Sequence, residues 1–362
     1  MSTAGSSHHR VPMPLPFLAP HVQIAWRDAQ QLLLEDPAAP QAQVLVGNAT
    51  SATVQWLRMN DGSRTLDEVL RLATEHGIDR DSARELLNAL AKAGLLSFDA
   101  APRELAEDQA METRSPLRQD LDALALSGRN AAEAWTRRQE HHISIEGVNR
   151  VAHALVDVLA ASHIGSMQVL ARSAARRSVT LRDIEAFGPM QDDVGVQSAV
   201  ALKRHIERVM PERKLRTVRH IAIACDARVS PGDEAPFQER GIPYLRLLVT
   251  SRYATIGPLT LPGHSVCWSC IELHRTDADP QWPHSLAQFE AHRRYAAPID
   301  DTFAMWVASE TAAQVLRVID TDDPSSLVNT TLHIDRATAG VRRRTWNVHP
   351  QCPCQWRWDQ AA

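Results

Sequence analysis

Two cysteine pairs, Cys267-Trp-Ser-Cys270 and Cys352-Pro-Cys354, restrict what this chain can fold into more than any other feature. Cysteines so close in sequence form a tight knuckle that turns both thiolates toward one metal ion. Four thiolates suit tetrahedral zinc and leave no position open for water or substrate. Such a site is structural: it ties the end of the chain to a distant loop. It contributes roughly 10–16 kcal/mol of apparent binding energy, which appears as folding energy when the metal-free chain has no preformed site. The alternatives are a redox Cys-x-x-Cys motif, which needs no second pair, and two disulfides, which suit a secreted chain. The fifth cysteine, Cys225, ends the apolar run Ile221-Ala-Ile-Ala-Cys225 and reads as a small core residue.

A length of 362 residues supports two or three domains, and a net charge of −4 gives no sign of a nucleic-acid surface. The first ten residues lack the apolar centre of a signal peptide, and no stretch reaches the length of a membrane span. Together with the cysteine usage, this points to the cytoplasm and away from membranes. Residues 1–19 read as a disordered tail. From 20 to 100, strand patterns at Val22–Trp26, Leu32–Leu34 and Val44–Val46 precede three helices. The first helix runs from Ala49 to Leu57. The second opens on the capping box Thr65-Leu-Asp-Glu68, and the third follows Asp79 and stops at Gly94. Leu95–Phe98 would return as a wing, so the module reads as a winged helix-turn-helix. Its charge argues against DNA: between Pro20 and Asp99 there are seven Lys/Arg and eleven Asp/Glu. Such a module still offers a sheet edge beside a helix, a surface that accepts an extended peptide as an added strand.

Residues 101–140 read as a linker and an entry helix carrying Leu117, Leu121 and Leu124. From 141 to 362 the pattern becomes strand, turn, helix, strand, with Ile143–Ile145, an apolar helix through Leu159, Met167–Leu170, His220–Cys225 and Tyr244–Val249. This predicts a Rossmann-like α/β domain with a parallel or mostly parallel sheet. Its nucleotide fingerprint is degenerate. The three glycines of Gly-x-Gly-x-x-Gly would fall on Gly147, Asn149 and Ala152, and only the first is a glycine. Arg172 stands near the place where an acidic residue would hold a ribose. Asp226 could hold a metal in an adenylating enzyme, but it reads more simply as a strand-end turn residue.

The run Gly257-Pro-Leu-Thr-Leu-Pro-Gly263, the stretch from Cys267 through Arg275, Asp277, Asp279 and Trp282-Pro283, and the closing His349-Pro-Gln-Cys352-Pro-Cys354 resemble a known group. They are similar to the ThiF-like leader-peptide-binding proteins of azole-forming ribosomal-peptide clusters. The resemblance covers nearly the whole chain. It implies an N-terminal recognition element that holds the leader segment of a precursor peptide against its third strand and third helix. In this sequence that groove would use Gln43, Val44, Leu45 and Val46 with Arg84, Leu87 and Asn88. It also implies that the ThiF-like portion docks a separate YcaO cyclodehydratase, which uses ATP to make azoline rings. The chain itself would then be a non-catalytic partner subunit, with structural zinc on Cys267, Cys270, Cys352 and Cys354 and no ATP of its own. Relatives of the superfamily are commonly dimers, so a homodimer is one of the states left open. The alternative is a ThiF-type adenylating enzyme that activates a peptide or carrier C-terminus with ATP. A zinc-stabilised transcription factor is a third class, disfavoured by the acidic winged helix. Arg275, Asp277, Asp279 and Trp282 read as a structural turn beside the knuckle, and His264 and His349 as unneeded substitutes for zinc ligands. Arg342-Arg-Arg344 reads as a solvated strand edge able to meet an acidic partner.

Overall fold

A computed structural model describes residues 14–99, 111–170, 177–211, 219–225, 231–291, 298–321, 323 and 327–355. The expectations placed on residues 1–13, on 100–110, on Arg172 and on Asp226 lie outside these. The chain divides into two compact units, 1–135 and 136–362.

In the first unit, Leu32 and Leu34 alternate with Leu33, and Val44 and Val46 alternate with Gln43 and Leu45, so each strand has one apolar face. Strands β2 (Gln23–Trp26), β3 (Leu32–Asp36) and β4 (Ala39–Val46) pair antiparallel in the order β2-β3-β4. Leu34 lies opposite Ile24 on one side and Val44 on the other. Leu32 and Leu34 are fully buried, and at about 1.5–3 kcal/mol for each such side chain a one-residue slip would be costly. β4 is longer than the sequence pattern suggests and takes in Pro40, which an edge strand tolerates because it can spare one N–H.

Helix α1 (Ser51–Arg58) is capped by Thr50. Helix α2 (Leu66–Glu75) is capped by Thr65, with Glu68 reaching back to the Thr65 N–H, and α3 (Arg80–Lys92) is capped by Asp79. The third helix ends where predicted, at Gly94, whose φ of +76° only glycine adopts freely. Trp56, Leu57, Leu70, Leu87 and Leu90 close the core, and the Trp56 indole N–H donates to the Val69 carbonyl at 2.9 Å.

The predicted returning wing differs from expectation. Leu96–Ser97 (β5) pairs with Phe17–Leu18 (β1) and not with the three-stranded sheet. Residues 14–19 therefore belong to the fold and not to a tail. The cause is local: the Leu18 and Ala19 N–H groups donate to Asn60 and Leu95 carbonyls, and Leu95 and Leu96 are buried. Helix α4 (Met111–Leu126) brings Leu121 and Leu124 against Ala131 and Ala134 of α5 (Ala131–Glu140).

The second unit is built on one seven-stranded sheet. Its strands are β6 (His141–Glu146), β7 (Ser166–Leu170), β8 (Arg219–Ala224), β9 (Tyr244–Val249), β10 (Tyr253–Thr260), β11 (Thr330–Asp335) and β12 (Gly340–Thr345). Their order is β12-β11-β10-β9-β8-β6-β7. Pairs β7–β6, β6–β8 and β8–β9 are parallel, whereas β9–β10, β10–β11 and β11–β12 are antiparallel. The sheet is thus mixed, a correction to the mostly parallel expectation. Two of the joins are too short for a crossover, β9 to β10 and β11 to β12: Val249 connects to Tyr253 through a turn in which Thr250 N–H donates to the Tyr253 carbonyl. In contrast, β10 and β11 are antiparallel across a long connection that carries three helices among the described residues. The glycine- and proline-bearing run from Gly257 supplies part of β10.

Ile143, Ile145, Ile221, Ile223 and Leu245 form one apolar face of the parallel strands. Against it pack Leu155 and Leu159 of α6 (Arg150–Ala161) and Phe303, Val307 and Ala312 of α11 (Asp301–Thr321). Arg138 makes a bidentate bond to Asp320 at the end of α11, Nε–Oδ1 2.7 Å and Nη2–Oδ2 2.8 Å, with both side chains buried. Removing one partner of such a pair costs about 3–5 kcal/mol.

Candidate functional site

The four cysteines meet. Cys267 caps the N-terminus of α9 (Trp268–Ala278), and Cys270 sits on its first turn. Cys352 and Cys354 come from the segment after β12. The sulfurs of Cys267 lie 3.7 Å from Cys270 and 3.5 Å from Cys352, and Cys270 lies 3.6 Å from Cys354. Bond lengths of about 2.3 Å in a tetrahedron put sulfurs about 3.8 Å apart, so this donor set and spacing fit a metal of the zinc class. Hydrogen bonds from the other three thiols, Cys267 first, hold the Cys270 thiol far below its ordinary range, so a thiolate forms readily there.

Glu234, buried just before α8 (Ala235–Glu239), braces this knuckle. Its carboxylate accepts from the Trp268 and Ser269 N–H groups at 3.1 Å each, from Ser269 Oγ at 2.7 Å and from the Tyr244 hydroxyl at 2.5 Å. These bonds satisfy N–H groups at the start of α9 that a helix leaves unpaired. Burial, then the Glu234 charge, pushes the Tyr244 phenol well above its usual pKa. Arg246 of β9 stacks 3.5 Å above the Trp268 ring. No spacing rule pointed to Glu234 or Arg246; each is read from the fold alone.

The strand-end crevice lies between β6 and β8, where the chain crosses from one side of β6 to the other. In doubly wound folds ligands bind at such a place. Gly147, with φ of +85°, makes the turn from β6 to α6. Asn149 caps α6: its Oδ1 accepts the Ala152 N–H at 3.0 Å. Its Nδ2 donates to the Cys225 carbonyl, bridging the two strand ends. The three fingerprint positions are therefore together, and the Asn149 amide occupies the space above the helix terminus. A phosphate at the start of α6 would have to displace the Asn149 bond to the Ala152 N–H.

Arg150, at the first position of α6, binds Asp301 at 2.5 Å and Glu185 at 3.2 Å. Burial raises the Glu185 carboxyl to about 7, against the pull of Arg150. Deeper on α6, His153 meets His205 of α7 (Ser198–Val209) at 2.9 Å, and His205 Nε2 donates to Asp157 at 2.7 Å. Burial lowers His153 to about 3, so its ring stays neutral. Asn149, Arg150, His153, Arg177, Glu185 and Ser198 line one small pocket.

In the first unit β4 pairs only with β3 among the described residues, and α3 packs beside it. Gln43, Leu45, Arg84 and Asn88 are exposed around that edge, with Leu45 at 51%. Val44 and Val46 are half-buried and turn to the core. Leu87 is fully buried in the core and so does not reach the exposed edge. Near the knuckle, the Trp282 indole donates to Glu272 at 2.5 Å, and Arg275 lies 5.1 Å from its ring centre, a structural arrangement.

No protein-family model and no curated protein matches the chain. Solved structures do. E. coli MccB with AMPCPP and MccA superposes with a TM-score of 0.67 at 14% identity, covering 94% of this chain and 99% of that one. E. coli MccB with ATP gives 0.66 at the same identity and coverage. The heterocyclase TruD gives 0.59 at 13% identity, covering 95% of this chain and 43% of TruD. At these identities the likeness is one of fold: a mixed α/β chain with a large sheet and, among the described residues, eleven α-helices. The expectation of a non-catalytic subunit is overturned by the same finding, because the fold shared from end to end is that of a protein described as the microcin C7 biosynthetic enzyme MccB and determined with ATP.

Proposed function

We propose that this chain is a peptide-modifying protein of ribosomal-peptide maturation. Its first unit is a winged-helix recognition element that takes the leader segment of a precursor peptide as a fourth strand on β4. Gln43 and Leu45 meet its side chains from the strand, and Arg84 and Asn88 from α3. Its second unit is a ThiF-type domain whose reaction class is ATP-dependent activation of a peptide carboxylate. The observation that carries this reading is the open β4 edge beside α3 in a chain that superposes on nearly all of a peptide-bound, nucleotide-bound enzyme fold. ATP would supply an adenylyl group and a pyrophosphate leaving group. This chain's residues would hold the phosphates at Gly147 and the start of α6 after Asn149 has turned from Cys225. Zinc on Cys267, Cys270, Cys352 and Cys354 would be structural.

A second reading of the chemistry is azoline formation carried out jointly with a separate YcaO protein; the likeness to the heterocyclase TruD supports ring formation on the bound peptide and no more. A peptide titration followed by ATP–pyrophosphate exchange separates the two. Adenylation predicts exchange by this chain with its peptide alone. Peptide binding without exchange, and ring formation only when a YcaO protein is added, establishes the second reading. Absence of peptide binding sinks both.

A further inference from the structure

Helix α9 carries four potential ligands at helical spacing on one side: Cys267 at its cap, then Cys270, His274 and Asp277. The segment after β12 runs past them and contributes His349 before Cys352 and Cys354. Two clusters result. The first is the four thiols. The second is His274, Asp277 and His349, whose ligand atoms all lie within 4.8 Å of one another.

The second cluster has the features of a cation site. His349 is 3% exposed, and its Nε2 lies 2.9 Å from Asp277 Oδ2. The His274 and His349 rings meet edge to face with centroids 4.8 Å apart. His274 Nε2 donates to the Asn347 carbonyl at 2.8 Å, which leaves Nδ1 as its lone-pair nitrogen. A backbone carbonyl on the far nitrogen is the usual way a ligating imidazole is fixed in tautomer and angle. The Asp277 side chain is 65% exposed, so water can complete the coordination sphere.

We propose that His274, Asp277 and His349 form a second metal site, separate from the four thiols, for a borderline divalent ion of the zinc class. Two imidazoles and one carboxylate select such ions over magnesium or calcium, which take oxygen ligands. Metal–nitrogen bonds of about 2.0–2.1 Å require the three groups to close in slightly. The ion takes the place of the proton between His349 and Asp277; that proton moves to His349 Nδ1, so the 3.2 Å contact from the Gln351 N–H to Nδ1 gives way. Bound there, it adds a second tie between α9 and the tail. The proposal does not depend on the peptide-modifying reading.

The full-length chain, loaded with one equivalent of zinc, is titrated with cobalt(II). One further equivalent is expected, with weak ligand-field bands and no thiolate charge-transfer band. Asp277→Asn keeps an acceptor for the His349 N–H and lies at the surface, so it leaves the fold intact. It should weaken the second equivalent at least tenfold while the first zinc is retained, and His274→Ala should do the same. Three results each overturn the proposal: no second equivalent in large excess, a second equivalent with thiolate charge transfer, or one that binds both variants as tightly as the parent.

Discussion

The amide of Asn149 is shared between two partners, the Ala152 N–H at the start of α6 and the Cys225 carbonyl at the end of β8. Glycine at this position gives up both bonds yet costs a helix cap only a few tenths of a kcal/mol, whereas alanine costs about 1 kcal/mol. Asn149→Gly is therefore expected to melt within a degree or two of the parent and to bind ATP at least tenfold more tightly by isothermal titration. Unchanged affinity would mean that this side chain does not control entry. The substitution of the fingerprint glycines was legible in the sequence, since a motif shows what is missing. The use made of Asn149 was not, because its second partner lies on another strand. Glu234 was hidden for the same reason: an acid before a short helix looks like any other until the fold sets it against Trp268 and Ser269.

At the level of elements, legibility followed the strength of local rules. The cap at Thr65 with Glu68 and the stop at Gly94 came through because one residue type satisfies each requirement. Strand β1 did not, since two residues carry no period to read, and β5 was read as a wing without its pairing to β1. The mixed sheet escaped as well: apolar runs give strands, and the long connection from β10 to β11 leaves their relative direction to tertiary packing. The β4 edge yields a test of its own. Leu45 is half exposed, so Leu45→Glu is expected to change stability by no more than about 0.5 kcal/mol. It places a charge on the outward face of the β4 edge, and leader-peptide affinity should fall about tenfold in a fluorescence titration, equivalent to about 1.4 kcal/mol. Full affinity in this variant, with Arg84→Ala equally silent, would place the peptide elsewhere.

At the scale of the whole molecule the two units rest on different supports. The first closes around Trp56, Leu70 and Leu90, whereas in the second four cysteine sulfurs meet where the segment after β12 reaches α9. Chelation under mild denaturant should therefore open the second unit and spare the first, so that limited proteolysis leaves a fragment close to residues 1–135. Cys354→Ser should reproduce that pattern or give insoluble protein; a metal-free chain that resists protease throughout would show the clasp to be dispensable. The cysteine spacing told us that these two segments would meet, though not that Glu234 and Tyr244 would link the start of α9 to the sheet. One flank of that sheet has a further consequence. β12 carries Arg342, Arg343 and Arg344 outward, with Arg344 stacked 3.7 Å over Trp346. Two copies meeting flank to flank would bring six guanidinium groups together, so growth of the sheet from molecule to molecule is opposed by like charge, while a strand rich in aspartate and glutamate meets no such barrier.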